Sequence, residues 1–332
     1  MNPTPQAAAT WDRRIKFRAL FRRPRVLCSL VAGTLRFCWQ APVLGRDALA
    51  DALKRLWRIG TLNCAELDFL AVARLDLAPS LRFRDYCQQV IETHLLNLRT
   101  PVRRASEAEY KDCLADPGGY AARQPATERM FAVELAGLKR LQAPAGGGRP
   151  VMLLAWHGGA QTHNFLSDLR AQVPRLEIFS AHREVFAPCA AGHEMFFTTP
   201  LMDNPKLGLL LMAKFLEEGR SVLLHLDGVA GKRDMACRLF GQRIHLSRGF
   251  IHIARHCKAV VLPVTACFLG NEKVRVQIGP PLFSDEELQT LADEQLLDRA
   301  LRFFVDDLRK NAPAAVAICG HLVQLIEQPA PG

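Results

Sequence analysis

Two short apolar runs stand out in the central part of this chain. Val151–Trp156 runs into His157-Gly158-Gly159, and Ser221–Leu226 runs into Asp227-Gly228. Runs of this length, bounded by Gly and Pro, are typical of strands buried on both faces of a parallel sheet. Ligands in such sheets bind at the carboxyl ends of the strands. The pattern therefore predicts that His157 and Asp227 lie at one functional edge.

The periodicity around these runs predicts alternating helices and strands between residues 151 and 283. The last predicted strand, 273–278, alternates apolar and polar positions as an edge strand does. A basic loop is expected between the second run and helix 248–257. Further strands are predicted at 176–180 and 259–264, and helices at 162–172, 206–218 and 285–310. Helix 206–218 is expected to bury Leu207, Leu210, Leu211 and Phe215.

This alternation favours an α/β fold with a mostly parallel central sheet flanked by helices. The chain before it is predicted to form a helical N-terminal region, with helices at 47–59, 80–99 and 126–142 and a loop or broken helix at 100–125. We divide the chain into a basic segment over 1–46, a helical region over 47–145, an α/β domain over 146–320 and a tail over 321–332.

The formal net charge is +10, and residues 13–25 carry a cluster of Lys and Arg without an acid. Such a cluster favours anionic partners. The apolar stretch 26–35 is shorter than the roughly 20 residues that cross a bilayer, and Arg36 interrupts its extension. We interpret 1–46 as a membrane-associating segment on the cytoplasmic face, peripheral or with one marginal anchor. The alternative is an ordinary first helix packed on the domain.

Several site classes are not expected from this sequence. The ten cysteines include no Cys-x-x-Cys pair, and the histidines lack zinc-site spacing, so no metal is predicted. There is no Gly-x-Ser-x-Gly nucleophile elbow and no glycine fingerprint of a nucleotide site. A nucleic-acid partner is not expected either, because no reading module is present.

Five blocks of the chain, in order and spacing, resemble the lysophospholipid acyltransferase superfamily, and most nearly its lipid A biosynthesis lauroyl/myristoyl acyltransferase branch. The resemblance runs from about Gly137 to Pro281. The blocks are Val151–Gly159, Phe215–Gly228, Leu239–Gln242, Ser247–Gly249 and Ala259–Val264. The resemblance implies a glycerolipid-acyltransferase-like domain over 146–320. It also implies an enzyme of lipid biosynthesis at the cytoplasmic face of the inner membrane.

The family moves a fatty acyl group from a thioester on acyl carrier protein or coenzyme A to a hydroxyl of a lipid or glycolipid, without another cofactor. Its first block has a His at the strand end and an acid five positions later. The imidazole takes the hydroxyl proton, and the carboxylate orients the ring. His157 holds the histidine position here, but Thr162 stands where the acid is expected. We expect Asp227 to be the substitute carboxylate. The alternatives are an enzyme that works with a weakly oriented base and a protein that is catalytically inactive.

A second register is open, because His163 and Asp168 have the His-x4-Asp spacing. Five positions in a helix correspond to about 140° around its axis, so this pair shares a face only if the helix begins between them. The strand-end rule favours His157. Arg183 falls where the family carries a basic residue that faces the acceptor's phosphate or sugar. Lys232 and Arg233, just past Asp227-Gly228, are candidate contacts to phosphopantetheine or a lipid phosphate, and Gly228 is a further expected substrate contact. Arg248 opens a predicted helix whose N-terminal dipole favours anions.

Two other functions are compatible with the same residues. Thr162 favours a catalytically impaired homologue that binds lipid or acyl carrier without turnover. A thioesterase would use the same base with water in place of the acceptor hydroxyl. Apolar residues within 160–215 are expected to line an acyl groove.

Overall fold

A computed structural model describes residues 102–104, 106–116, 132–156, 162–173, 175–180, 184–186, 196–200, 205–228, 235–239, 242–270 and 273–310. The segment 1–46, the helices predicted at 47–59 and 80–99, and the tail 321–332 lie outside these residues. The strands are β1 (Val102–Arg104), β2 (Ala132–Ala136), β3 (Val151–Ala155), β4 (Leu176–Ser180), β5 (Glu184–Phe186), β6 (Phe196–Phe197), β7 (Thr199–Pro200), β8 (Ser221–His225), β9 (Met235–Leu239), β10 (Gln242–Leu246), β11 (Val260–Gly270) and β12 (Lys273–Ile278). The helices are α1 (Glu107–Ala115), α2 (Leu138–Gly146), α3 (Thr162–Gln172), α4 (Pro205–Glu217), α5 (Gly249–Cys257), α6 (Asp285–Thr290) and α7 (Asp293–Lys310).

A seven-stranded sheet in the order β2-β12-β11-β3-β8-β4-β7 forms the centre of the fold. β11, β3, β8, β4 and β7 are mutually parallel. β12 runs antiparallel to β11 and parallel to β2. The predicted α/β class with a mostly parallel, helix-flanked sheet is confirmed.

The sheet is buried on both faces where it runs parallel, as its continuous apolar strands require. All five residues of β3 are buried. Met152 and Leu154 belong to one core cluster, which also contains residues of α4, α5, α7 and the β9–β10 pair. Leu153 and Ala155 belong to the cluster on the opposite face, under α3. The alternation along β3 thus distributes its side chains between two helical layers.

Three of the predicted elements were wrong, and so was the predicted edge position of strand 273–278. Ala132–Ala136 is a strand rather than part of a helix, because it pairs with β12, which is consequently not an edge strand. The expected basic loop contains the hairpin of β9 and β10. The predicted helix 285–310 is two helices, because Leu291 adopts an extended conformation between them. Ser284 and Glu287 form a capping box at the start of the first of these.

Helix α4 (Pro205–Glu217) begins and ends one residue before the predicted 206–218 and has a different buried face. Leu207 is 49% exposed and Leu210 69% exposed, so their expected burial was wrong. Met212 and Leu216 are the buried side chains, and they pack in the cluster shared with α5. Gly219 ends this segment with φ +69°, a left-handed conformation that glycine adopts without steric cost.

Candidate functional site

The carboxyl ends of β3 and β8 lie side by side in the middle of the sheet. Ala155 is paired with His225 in the parallel register. The N–H of Leu226 continues this pairing by donating to the Ala155 carbonyl at 2.8 Å. The strand that leads to His157 and the strand that leads to Asp227 are therefore adjacent and end at the same level of the sheet.

Asp227 sits immediately beyond the end of β8 and has 0% of its surface exposed. It lies in a tight turn in which the N–H of Gly228 donates to the His225 carbonyl at 3.2 Å. A methyl group built on Gly228 would lie 3.1 Å from that same carbonyl oxygen. Glycine at this position therefore keeps the turn tight, and the turn holds the carboxylate at the sheet edge. A buried ionisable group at a strand end is a candidate functional group.

His157 lies outside the described residues, but its preceding neighbour is well placed. Trp156 is 3% exposed, and its ring stacks on Phe304 of α7 with centroids 5.5 Å apart. Phe303 packs edge-on against Phe304 at 5.5 Å. Within the described part of the chain the indole Nε1 of Trp156 is buried without a hydrogen-bond partner. The aromatic packing anchors the end of β3 directly before the candidate base.

The alternative pair of catalytic residues, His163 and Asp168, lies on α3. His163 and Asp168 both belong to this helix, which begins at Thr162 and therefore not between them. Asp168 is 8% exposed, whereas the His163 side chain is outside the described set. Thr162 itself is the first helical residue. The helix geometry thus leaves the pair about 140° apart around the axis.

Of the positively charged side chains predicted to contact substrate, the structure describes only that of Arg248. Arg183, Lys232 and Arg233 lie outside the described residues. Arg248 directly precedes α5, and its Nη1 lies 3.6 Å from Oδ2 of Asp293 on α7. Asp293 also binds the guanidinium of Arg255. The charge of Arg248 is therefore shared with an internal carboxylate, although the side chain is 44% exposed.

Three helices begin at the edge that carries Asp227. α3, α4 and α5 each lead directly into a strand of the parallel set, namely β4, β8 and β11. Helices in such crossovers run antiparallel to the strands, so their N-termini lie at the carboxyl edge. Their positive dipole ends favour negative charge there. The edge is electrostatically suited to an anionic or developing oxyanion group.

The β9–β10 hairpin carries basic residues that the sequence pattern did not identify as site candidates. Arg238 and Arg243 are directly opposite one another and both exposed, and His245 lies on the same strand as Arg243. The sequence signal is the alternation of apolar and basic residues from Met235 to Leu246, although the predicted structure of this segment is a basic loop.

The thiols of Cys237, Cys257 and Cys267 are disfavoured as nucleophiles at neutral pH. Burial, reinforced by the Asp298 carboxylate, raises the pKa of the Cys237 thiol to about 12. Burial also raises the pKa of Cys257 and of Cys267. A thiolate is the reactive form of cysteine, so acyl-enzyme formation on these thiols is disfavoured.

The described residues contain no cluster of His, Cys, Asp and Glu that could hold a metal ion. None of the helices within the described ranges is long and apolar enough to span a bilayer. In sequence comparisons, neither a family model nor a curated protein matches this chain.

Proposed function

We propose that this chain is an O-acyltransferase that moves a fatty acyl group from an acyl carrier protein or coenzyme A thioester to a hydroxyl of a lipid or glycolipid. The observation that carries the proposal is the fully buried Asp227 at the end of β8, in register with the strand that leads to His157. A completely buried carboxylate at the end of a central strand is a candidate functional group.

In the proposed reaction, His157 accepts the proton of the acceptor hydroxyl as the oxygen attacks the thioester carbonyl carbon. The carbon–sulfur bond breaks, the proton passes to the leaving thiolate, and an ester is formed. Asp227 orients the imidazole and stabilises its protonated form. Arg183, Gly228, Lys232, Arg233 and Arg248 remain the proposed substrate contacts, without another cofactor. No metal or nucleic-acid partner is part of the proposal.

The experiment combines purified protein with acyl carrier protein and coenzyme A thioesters and a panel of lipid hydroxyl acceptors, with mass spectrometric detection. His157→Ala should abolish transfer, and Asp227→Asn should lower turnover on the order of 10⁴-fold. His256→Ala is the control, because that imidazole is 69% exposed and faces Glu217 on the surface. Full transfer by His157→Ala would reject the assignment. Loss with His163→Ala instead would move the base to the second register.

Thr162 supports a second candidate, a homologue that binds lipid or acyl carrier without turnover. The residue is the first of α3 and cannot provide the carboxylate of the family pattern. Donor binding in the same preparation with neither ester nor free fatty acid formed would favour this candidate. Free fatty acid formed without ester would instead identify a thioesterase.

We also propose that the chain works at the cytoplasmic face of the membrane, and the surface of α4 supports contact with a bilayer. Leu207, Leu210 and Lys214 follow one another at helical spacing along its exposed side, and Lys206 adds a second exposed cation. Exposed leucines flanked by lysines match the interface of an anionic bilayer. The helix begins at the carboxyl edge of the sheet, which would bring a lipid hydroxyl to the candidate base. Its exposed leucines also provide the start of an acyl groove.

Flotation with vesicles that contain phosphatidylglycerol tests this surface. The double variant Leu207→Glu, Leu210→Glu should reduce vesicle binding by about tenfold or more, since each leucine contributes up to roughly 1.5–3 kcal/mol when it is fully buried. Leu114→Glu is the matched control, because this leucine of α1 is 54% exposed. Equal binding by the double variant and the control would remove α4 from the proposed membrane surface.

A further inference from the structure

The β9–β10 hairpin has an apolar face and a basic face. Residues of the inward face are buried or half-buried in the main core: Met235, Cys237, Leu239, Ile244 and Leu246. The alternate positions point the other way, because successive side chains in a strand lie on opposite faces. Arg238 pairs with Arg243 and Ala236 pairs with His245 in the antiparallel register. The outward face thus presents two guanidinium groups and an imidazole.

The charge on this face is uncompensated within the described part of the chain. Neither Arg238 nor Arg243 forms an ion pair with a described carboxylate. Residues directly opposite one another on antiparallel strands have Cβ atoms about 4.5–5.5 Å apart, and like charges in this arrangement destabilise the pairing. The carboxylate of Asp298 acts on the inward Cys237 and is bound by Arg302. The two arginines therefore repel each other across the hairpin.

The histidine on the same face adds a third polar group. Its Nδ1 is buried and has no hydrogen-bond partner among the residues that the structure describes. A buried nitrogen without a partner is costly, and in the tautomer that carries its proton on Nδ1 the imidazole can donate to an anion between His245 and the arginines.

The position of the hairpin connects it with the candidate site. β9 follows the turn of Asp227 after the segment 229–234, and β10 leads through Arg248 into α5 at the carboxyl edge. Arg243 is three residues from the end of β10 at Leu246, which corresponds to about 10 Å along the strand. An anionic group bound here would be separated from the reacting carbonyl by a long arm. This separation fits the thioester donor better than an acceptor whose charge is close to its hydroxyl.

We propose that the outward face of the β9–β10 hairpin binds a phosphate of the donor's phosphopantetheine arm, through Arg238 and Arg243 as paired guanidinium groups with His245 as a third contact. The proposal rests on the proposed acyltransferase function. Arginine suits phosphate because its planar fork donates two parallel hydrogen bonds. Acyl carrier protein and coenzyme A share this phosphate chemistry, so either carrier is a possible source.

Binding without turnover tests the proposal. The full chain is titrated calorimetrically with coenzyme A, with pantetheine, which lacks phosphate, and with holo- and apo-acyl carrier protein. Arg238→Gln and Arg243→Gln should each weaken coenzyme A or holo-carrier binding by about tenfold, corresponding to one charge-assisted hydrogen bond. Pantetheine binding should not change. Arg309→Gln is the matched control, because this arginine of α7 is 58% exposed and pairs only locally with Asp306.

The melting temperature provides a second readout, and it should not fall when the binding affinity falls. Removing one of two repelling charges should leave the melting temperature of each hairpin variant equal to or above that of the wild type, so weaker binding does not arise from unfolding. Unchanged affinity in the double variant would overturn the hairpin site while leaving the transfer assay to decide the acyltransferase function. Arginine-dependent binding of apo-carrier equal to that of holo-carrier would also overturn it, because the contact would then be with acidic protein surface.

Discussion

The contact between Phe304 and Trp156 provides a sharp test of how the candidate edge is built. Phe304 is 2% exposed and lies between two aromatic rings, at 5.5 Å from each centroid. Trp156 is the last described residue before the candidate base. Phe304→Ala would remove the ring that supports the end of β3 and leave a cavity beneath the indole.

The expected loss of unfolding free energy follows from this environment. Truncation of a fully buried Phe to Ala costs about 3–5 kcal/mol, including the cavity. Each aromatic pair accounts for about 0.5–1.5 kcal/mol beyond area burial. Phe304→Leu keeps most of the volume and should lose mainly the pair energies, about 1–3 kcal/mol. Phe303→Ala should cost less than Phe304→Ala, because Phe303 is only partly buried.

Urea unfolding followed by circular dichroism measures these differences. A double-mutant cycle with Trp156→Leu and Phe304→Leu should give a coupling energy of about 0.5–1.5 kcal/mol. The reasoning is refuted if Phe304→Ala costs no more than Phe303→Ala, or if the cycle shows no coupling. Folded Phe304→Leu protein should also lose acyl transfer, because the strand end that carries His157 is less well held.

Three further predictions concern other parts of the fold. Arg255→Met should lower the unfolding free energy by about 2–4 kcal/mol, because it orphans acceptors at Asp293 and on the chain before α7. Arg248→Met, at 3.6 Å from the same carboxylate and 44% exposed, should cost less than about 1 kcal/mol; equal losses in urea titrations would contradict the geometry. The pKa of Glu287 is lowered, chiefly by its capping hydrogen bond, so its stabilisation is present above pH 4.5 and lost as pH falls through the folded pKa. Glu287→Gln should therefore lower the melting temperature at pH 7 but not at pH 2. With a pKa of about 12, Cys237 as sole cysteine should react with a thiol reagent at pH 8 on the order of 10³-fold more slowly than an exposed thiol, and rapid labelling of folded protein would exclude this burial.

The parallel part of the fold could be predicted because each strand carries its own signal. Val151–Ala155 and Ser221–His225 are apolar runs of strand length, and burial on both faces requires such composition. Ala132–Ala136 has no comparable run and contains Glu134, so its strand state depends on pairing with β12. The local sequence pattern does not show which distant strand this segment will pair with.

The buried side of α4 could not be predicted for a related reason. Leucines occupy positions 207, 209, 210, 211 and 216, so apolar residues surround much of the helix. Periodicity decides a face only where polar residues occupy the other one. In α4 the buried face is determined by packing. Met212 and Leu216 fit the core shared with α5, and Leu209 lies against Gly249. Leu207 and Leu210 remain on the surface as a consequence.

The candidate site shows the same division between local and long-range information. Asp227 could be placed at a strand end from the sequence, because an apolar run delivers it there. Its complete burial and the support of Trp156 by Phe304 could not, since they depend on α7 and on the turn at Gly228. The partner of Arg248 is equally remote, because Asp293 is contributed by the same helix.

The distribution of arginines separates charges used within the fold from charges available to a ligand. Arg255 donates to Asp293 and to the Leu288 carbonyl at 2.7 Å, which joins α5 to the chain before α7. Such an arginine cannot turn to an anionic substrate without breaking the fold. Arg238 and Arg243 have the opposite character, since they are exposed, face each other and gain nothing from the described carboxylates. If an acyl donor is recognised through its phosphate, binding of that phosphate would relieve the repulsion between Arg238 and Arg243. We therefore expect this pair to contribute more to donor binding than arginines that are already paired within the fold.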